Sequence, residues 1–455
     1  MVANPVRDLA EFVGIASVSA SARHAADVAV AAHWLAARLR RAGLPSVSVV
    51  ATPRHPVVLA AWRRAPGRPT VLVYGHYDVQ PVDPAVAWRS PPFATVVRGD
   101  RIYGRGTSDD KGQLLCHVLA IERLLRERGR LPVNVVCLFE GEEEIGSPNL
   151  SDLLDRYRDK LAADVAVCSD TRMLAPCRPA LTYSLRGSIG LELAVYGPAT
   201  DLHSGTYGGA VHNPLQALCE LIASLHHDDG RVAVPGFYAG MRPVSEAERA
   251  RLGHGDADLL RAAGSVLPWG LDGVSLYERT TAWPALTING LTGGYQGTGG
   301  KSVIPARARA KFSARLVLDQ DPALVTKAIA HHIATHTPPT VRSRLDVLSA
   351  TAAVGLNRSG PGIVAAAAAY RHGFGAAPVF LRSGGTIPAV TLFQQVLGLD
   401  TVLLGFGLPD DGTHAPNESF HLPTFRRGIA TAARFLDEVA GLPSDWSSAY
   451  ERRVD

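Results

Sequence analysis

The chain has 455 residues, 46% of them hydrophobic and 19% charged, and a formal net charge of +4. This composition is ordinary for a globular protein, the charge is too small to make a case for nucleic acid, and the length exceeds what one hydrophobic core usually supports, so two domains are expected. Five cysteines without a C-x-x-C pair fit reduced thiols in a cytoplasmic protein. No apolar stretch approaches the ~18–20 residues of a membrane span. The N-terminal MVANPVRDLAEFVGIAS lacks the order of a signal peptide, so neither membrane insertion nor secretion is expected.

In chain order, residues 25–42 carry Val28, Ala31, Leu35 and Leu39 on one stripe, with Gly43 behind them, which predicts a helix. Short β-branched and aliphatic runs at 47–50, 57–60, 70–74, 133–139 and 165–167 predict strands. Between them Lys111–Arg128 predicts a second helix, with Leu114, Val118, Ile121 and Leu125 at helical spacing and Gly129 as the stop. Apolar strands alternating with amphipathic helices indicate an α/β layered domain with a largely parallel sheet flanked by helices. From about Ser184 the pattern changes to separate strands at 190–196 and 306–318, an irregular stretch at 231–283 and a glycine-rich loop, GGYQGTGG, at 293–300. After about Ser359 the α/β pattern returns, with a helix at 362–373, a strand at 401–405 and a helix at 425–436. The economical reading is one α/β domain, 1–183 and 358–455, interrupted by a smaller α+β domain at 184–357.

Histidine and carboxylate recur at the strand ends. VLVYGHYDV puts His76 and Asp78 two positions apart, on one face of an extended segment, where Asp78 is able to orient a metal-bound imidazole. YGRGTSDDKG puts Asp109 and Asp110 at a glycine-flanked turn, FEGEEEIGS ends the next strand in four carboxylates, AVCSD adds Asp170, and GFGLPDDGTHAPNES adds His414. In open α/β sheets ligands bind beyond the carboxyl ends of the strands, so these clusters converge on one rim. Singly, each has an ordinary explanation: a surface His-Asp pair, a helix cap at Asp109 and Asp110, a solvated run of glutamates. Their joint occurrence favours a metal site. Imidazole and carboxylate without cysteine suit Zn²⁺, Mn²⁺ or Co²⁺. Two such ions, about 3.5–4 Å apart in hydrolytic centres, would offset the crowded acids.

In order along the chain, GHYDV, YGRGTSDDKG, EGEEEIGS, CSD, DLHSGTYGGAVHNP, SVIPARARAKFSARL, RSGGTIP and PDDGTHAPNES resemble the motifs of the M20 family of metallopeptidases, and its dipeptidase and carnosinase branch most. The resemblance implies a hydrolase that cleaves the amide bond of dipeptides or short peptides with two divalent metal ions, Zn²⁺ by preference, and a metal-bridging hydroxide. It implies His76 and Asp170 on one metal, Glu144 and His414 on the other, Asp109 on both, a cis Asp109–Asp110 peptide and Glu143 as general base. The inserted domain becomes a lid and dimerisation domain, with His203 of one subunit stabilising the oxyanion in the site of the other, hence a homodimer. Arg315 would hold the substrate carboxylate, and Ser302, Ser383 and Thr386 would line the pocket.

One departure is marked. Dipeptidases of the family carry Arg-Glu-Gly-Gly-Ser where this chain has Arg382-Ser383-Gly384-Gly385-Thr386, which removes an acid suited to a free substrate amine. An N-acyl amino acid deacylase or carboxypeptidase of the same family is therefore the alternative, and a non-catalytic binding protein the remote one. GGYQGTGGKS is no P-loop, because the required glycine is Tyr295, and no G-x-S-x-G elbow marks a serine hydrolase.

Overall fold

The computed structural model describes residues 4–442 apart from 243, 247 and 250–255. Helix α1 (Pro5–Val13) starts where the Asn4 side chain accepts the Arg7 N–H at 3.2 Å, with Pro5 in the first turn. Helix α2 (Ala25–Arg41) follows, then strands β1 (Ser46–Val50), β2 (Val57–Trp62) and β3 (Thr70–His76). Helix α3 (Lys111–Arg128) ends on Gly129, whose φ of 67° closes the last turn in the left-handed region. Strands β4 (Asn134–Glu140), β5 (Val165–Cys168) and β6 (Ala180–Leu185) complete this stretch.

Two compact units divide the chain: residues 1–183, 356–381 and 387 onward form the first, and 184–355 with 382–386 the second. Residues 356–357 thus fall in the first unit and 382–386 in the second, unlike the boundaries expected from sequence. In the second unit β7 (Gly187–Tyr196), helix α4 (Pro214–Ala223), β8 (Ala285–Gly293), β9 (Arg307–Leu316), helix α5 (Pro322–His336) and β10 (Arg342–Thr351) form an antiparallel sheet, order β8-β9-β7-β10. Alternation along β9 buries Ala308, Ala310, Phe312 and Ala314 with Leu218 and Leu221 of α4 and Ile329 of α5. Part of the expected irregular stretch is helical: Leu276–Thr281 is capped by Ser275 Oγ, which accepts the Glu278 N–H.

The chain then returns to the first unit as α6 (Pro361–Phe374), β11 (Thr401–Leu403) and α7 (Leu422–Ala440). The strand order is β1-β2-β4-β3-β5-β11-β6. The middle of the sheet, β4-β3-β5-β11, is parallel, and β1, β2 and β6 join antiparallel. β3 is buried along its whole length because helices cover both faces. Leu35 and Leu39 of α2, Leu114 and Val118 of α3, Ala366 and Ala369 of α6 and Phe435 of α7 share the core with Val71, Val73 and Val135. Each of the Leu, Val and Phe side chains contributes roughly 1.5–3 kcal/mol by leaving water. Among the described residues no helix is long and apolar enough to cross a membrane.

Candidate metal centre

The carboxyl ends of the four parallel strands and the turn before α3 carry the residues singled out in the sequence. His76 ends β3, Glu143 and Glu144 follow β4, Asp170 follows β5, His414 follows β11, and Asp109 sits in the turn before α3. His76 Nε2 lies 3.1 Å from Asp109 Oδ1 and 3.9 Å from Asp170 Oδ2. His414 Nε2 lies 2.9 Å from Asp109 Oδ2 and 3.3 Å from Glu144 Oε2. Two groups result, His76–Asp109–Asp170 and Asp109–Glu144–His414, each with ligand-type atoms within 4.8 Å of one another. Asp109 gives one oxygen to each. His76 Nε2 is buried and makes no hydrogen bond despite its approach to Asp109, as suits an atom aimed at a cation. The donor set of nitrogen and carboxylate oxygen fits Zn²⁺, Mn²⁺ or Co²⁺.

Backbone freedom makes these approaches possible. A Cβ at Gly75 would stand 2.8 Å from Asp110 Oδ2, so only glycine lets α3 come this close to the end of β3. Asp110 Oδ2 accepts the His76 N–H at 3.3 Å, and the Asp109–Asp110 peptide is cis. Gly106, at φ 88°, turns the chain so that Gly106, Ser108 and Asp109 all donate N–H groups to buried Glu418.

Asp78 does more than orient His76. Its carboxylate stands 3.4 Å from His76 Nδ1, but the hydrogen bond from Nδ1 goes to the Asp78 backbone carbonyl at 3.1 Å. The carboxylate instead accepts the N–H groups of Glu143 (3.2 Å) and Glu144 (3.0 Å) and the hydroxyl of Ser19 (2.6 Å). It therefore anchors the acidic turn. Glu140 and Glu142 are not solvated, with exposures of 1% and 2%. Glu142 Oε1 accepts from Thr52 Oγ1 and His55 N, and its Oε2 from Asn149 Nδ2; Glu140 accepts from the hydroxyls of Tyr74 and Ser147. Gln80 donates to Glu144 Oε2 at 2.6 Å. Sequence spacing gives no sign of these partners, since Thr52 and His55 lie far upstream of the turn.

The acids and imidazoles of the two groups shift one another's proton affinity. Burial, then the negative charges of Asp170, Glu144 and Asp109, raises Glu143 well above the usual carboxylate range against the pull of His76. Burial and Asp109 push Asp170 up to about 8. Burial alone would lower His414, but hydrogen bonds to Asp109 and Glu144 outweigh it and lift the imidazole to about 11. Asp109 is driven below its ordinary value by His414 and His76, which overcome its burial. Ligand groups must be deprotonated to hold a cation, so cation binding at these residues would release protons.

The remaining candidates lie in the second unit. His203 is exposed, its Nδ1 accepting the Gly205 N–H at 3.0 Å, and Ser302 is exposed with its carbonyl accepting the Ser204 N–H. Arg315 Nη1 donates to Thr386 Oγ1 at 2.8 Å, and Thr386 in turn donates to the Arg186 carbonyl at 2.6 Å. Ser383 Oγ accepts the Gly385 N–H at 3.1 Å. Arg186, which the sequence reading missed, bonds the carbonyls of Gly384 and Trp283; burial, then the charge of Arg315, lowers it to about 10. Two guanidiniums close enough to repel each other favour an anion.

An α/β sheet carrying two imidazole–carboxylate groups that share one aspartate defines a metal-dependent hydrolase. Residues 72–438 match the model of peptidase family M20/M25/M40, and the chain belongs to that family. Its peptidases are metal-dependent enzymes with a dinuclear site. The chain is 33% identical to the Cys-Gly metallodipeptidase dug1 of Schizosaccharomyces pombe, over 86% of this chain and 84% of that protein. The fold is similar to that of human carnosine dipeptidase 1, with a TM-score of 0.88, 31% identity and 96% of each chain covered. It is also similar to the M20 family metallo-carboxypeptidase Sso-CP2 from Sulfolobus solfataricus, with a TM-score of 0.87, 31% identity and 97% and 100% of the two chains covered.

Proposed function

We propose that the protein hydrolyses the amide bond of dipeptides, with His76 and Asp170 holding one divalent cation, Glu144 and His414 the other, and Asp109 both. The observation that carries this reading is the shared Asp109 carboxylate, with one oxygen toward each imidazole. When bound, the cations supply Lewis acidity, polarising a carbonyl and bringing the pKa of water toward neutrality. Zn²⁺ is the proposed metal; chelation abolishes activity, and restoration by Zn²⁺ rather than Mn²⁺ or Co²⁺ tests that choice.

Glu143 is the proposed base. It neighbours Glu144 in sequence while its own carboxylate stays outside both ligand groups, which leaves it free to take a proton. A Glu143 carboxylate oxygen takes a proton from the attacking water as the remaining hydroxide bonds to the carbonyl carbon. As the C–N bond breaks, Glu143 returns that proton to the amine nitrogen. In the second unit Arg315, steadied by Thr386, is suited to a substrate carboxylate through its planar fork of donors, with Ser302 and Ser383 as pocket positions. His203 is proposed to reach the site of a second subunit and hold the oxyanion, which makes the enzyme a homodimer. Free thiols at all five cysteines support a cytoplasmic location.

Glu143→Gln tests the mechanism: cation binding is retained and turnover falls on the order of 10²–10⁴-fold, the range for general base catalysis. Undiminished turnover rejects it. Ser383 favours a second reading, in which the substrate amine is acylated, and the similarity to a metallo-carboxypeptidase is compatible with that. Comparing a free dipeptide with its N-acetylated form separates the two.

A further inference from the structure

Glu418 lies in the same loop as His414 and is fully buried. Its Oε1 accepts the N–H groups of Ser108 (2.9 Å) and Asp109 (3.1 Å), and its Oε2 accepts Gly106 N–H (2.9 Å) and Arg105 Nη1 (2.8 Å). Three backbone donors of one turn, from residues 106, 108 and 109, curl round one carboxylate and form an anion-binding nest, here filled by the protein's own side chain. The nest is the turn that carries Asp109, and the carboxylate belongs to the loop that carries His414. Neighbouring groups reinforce the join: Asp411 accepts from Ser108 Oγ at 2.6 Å and from Arg101 at 2.7 Å. Asn417 ties the same loop elsewhere, accepting from Arg89 N and donating to Ala87 O.

We infer that Glu418 is a positioning residue: by filling the nest of residues 105–109 it fixes the shared Asp109 carboxylate opposite His414, so that the centre is arranged for cations before they bind. This rests on the proposed ligand roles of Asp109 and His414. A loose turn would leave each arriving cation to order Asp109 itself, at a cost in affinity. Because Asp109 faces both groups, loosening it weakens both sites.

The test is titration of Zn²⁺ or Co²⁺ into metal-free Glu418→Gln by calorimetry, with the absorption spectrum of the Co²⁺ form and kcat at rising metal concentration. The amide keeps one acceptor oxygen but turns N–H groups toward two of the four donors. Cation affinity is expected to fall ~10–100-fold, the usual effect of losing a group that orients a ligand, with altered Co²⁺ bands and kcat recovering at saturating metal. Asn417→Gly separates positioning from general loosening: it cuts the loop's tie to Ala87 and Arg89, keeps the backbone conformation of φ 66° accessible, and is expected to lower thermal stability while leaving cation affinity unchanged. If Glu418→Gln does not fold, Glu418→Asp, which keeps the charge on a shorter stem, takes the same titration. Wild-type affinity and Co²⁺ bands in the Glu418 variant overturn the inference, as does an equal loss of affinity in Asn417→Gly. These readouts need no substrate, so failure of the peptidase reading, seen as a wild-type protein that binds cations and cleaves no peptide, is a separate result.

Discussion

Asp78→Asn changes one atom and separates two roles for this carboxylate. In the structure Oδ1 accepts Glu143 N–H, and Oδ2 accepts Glu144 N–H and the Ser19 hydroxyl. An asparagine amide has one acceptor oxygen, so one side of the group must face donors with a donor. If the nitrogen takes the Oδ1 place, Glu143 N–H is orphaned; if it takes the Oδ2 place, Glu144 N–H is orphaned while Ser19 is free to rotate. Either way one backbone donor of the acidic turn is lost, at about 1–3 kcal/mol for an unsatisfied group, and the surviving bonds lose the strength that ionised acceptors give. The His76 ring keeps its bond to the backbone carbonyl of residue 78. The expected outcome is a lower unfolding temperature of the metal-free protein and weaker cation binding in the Glu144–His414 group, with the His76–Asp170 group little changed. Calorimetric titration of the metal-free variant, resolved into its two sites, measures this. A variant with wild-type stability, or one whose loss is confined to the His76 group, refutes the assignment of Asp78 to the acidic turn.

Three further outcomes are expected. Glu142→Ala strands the donors of His55 and Asn149, while the Thr52 hydroxyl keeps the His55 carbonyl, so it costs about 2–5 kcal/mol in denaturant unfolding, whereas Glu142→Gln keeps most of that stability because Asn149 is able to flip its amide. Gly75→Ala drives a methyl to 2.8 Å from Asp110 Oδ2, and overpacking of this kind costs about 1–3 kcal/mol. Its cation affinity falls as well, since α3 must retreat from His76. His117 is buried against Ser169 and its pKa is lowered by that burial to about 4. The unfolded chain takes up the proton first, near pH 6.5, so stability is full above that value and is lost as pH falls toward 4, by up to about 3 kcal/mol. His117→Gln should flatten that acid limb in unfolding measured across the window; an unchanged slope would sink the assignment.

Much of the first unit was legible because its elements announce themselves by period and punctuation. Lys111–Arg128 matches the expected helix to the residue, since Gly129 supplies the left-handed stop. β3 runs on past Tyr74 through Gly75 and His76, which pair with Phe139 and Glu140. A glycine and a histidine do not read as strand, yet pairing with β4 overrides their propensity. α7 begins at Leu422 rather than 425 because the His421 side chain accepts the Thr424 N–H, an unusual cap with no sequence signature. The transfer of 382–386 to the second unit is equally hidden: Thr386 bonds Arg186 and Arg315, far away in the chain. Sequence brought out the imidazoles and carboxylates that the structure gathers into two groups, and it missed the acids that face the protein. Glu142 belongs to a run that reads as solvated, and nothing in the spacing marks Glu418 or Asp411, until the distant donors that surround them are placed.

The order of strands has a consequence for how the molecule is made. β11 lies between β5 and β6, although more than two hundred residues separate it from either in the chain. Until a nascent chain has been extended through Thr401–Leu403, β6 has no strand to join it to β5, and the last imidazole of the two groups, His414, comes later still. His76, Asp109, Glu144 and Asp170 are all translated early, yet the second group lacks its histidine until the whole intervening unit has been synthesised. The second group is therefore completed only after translation of the insertion, whereas the first is complete in sequence by Asp170.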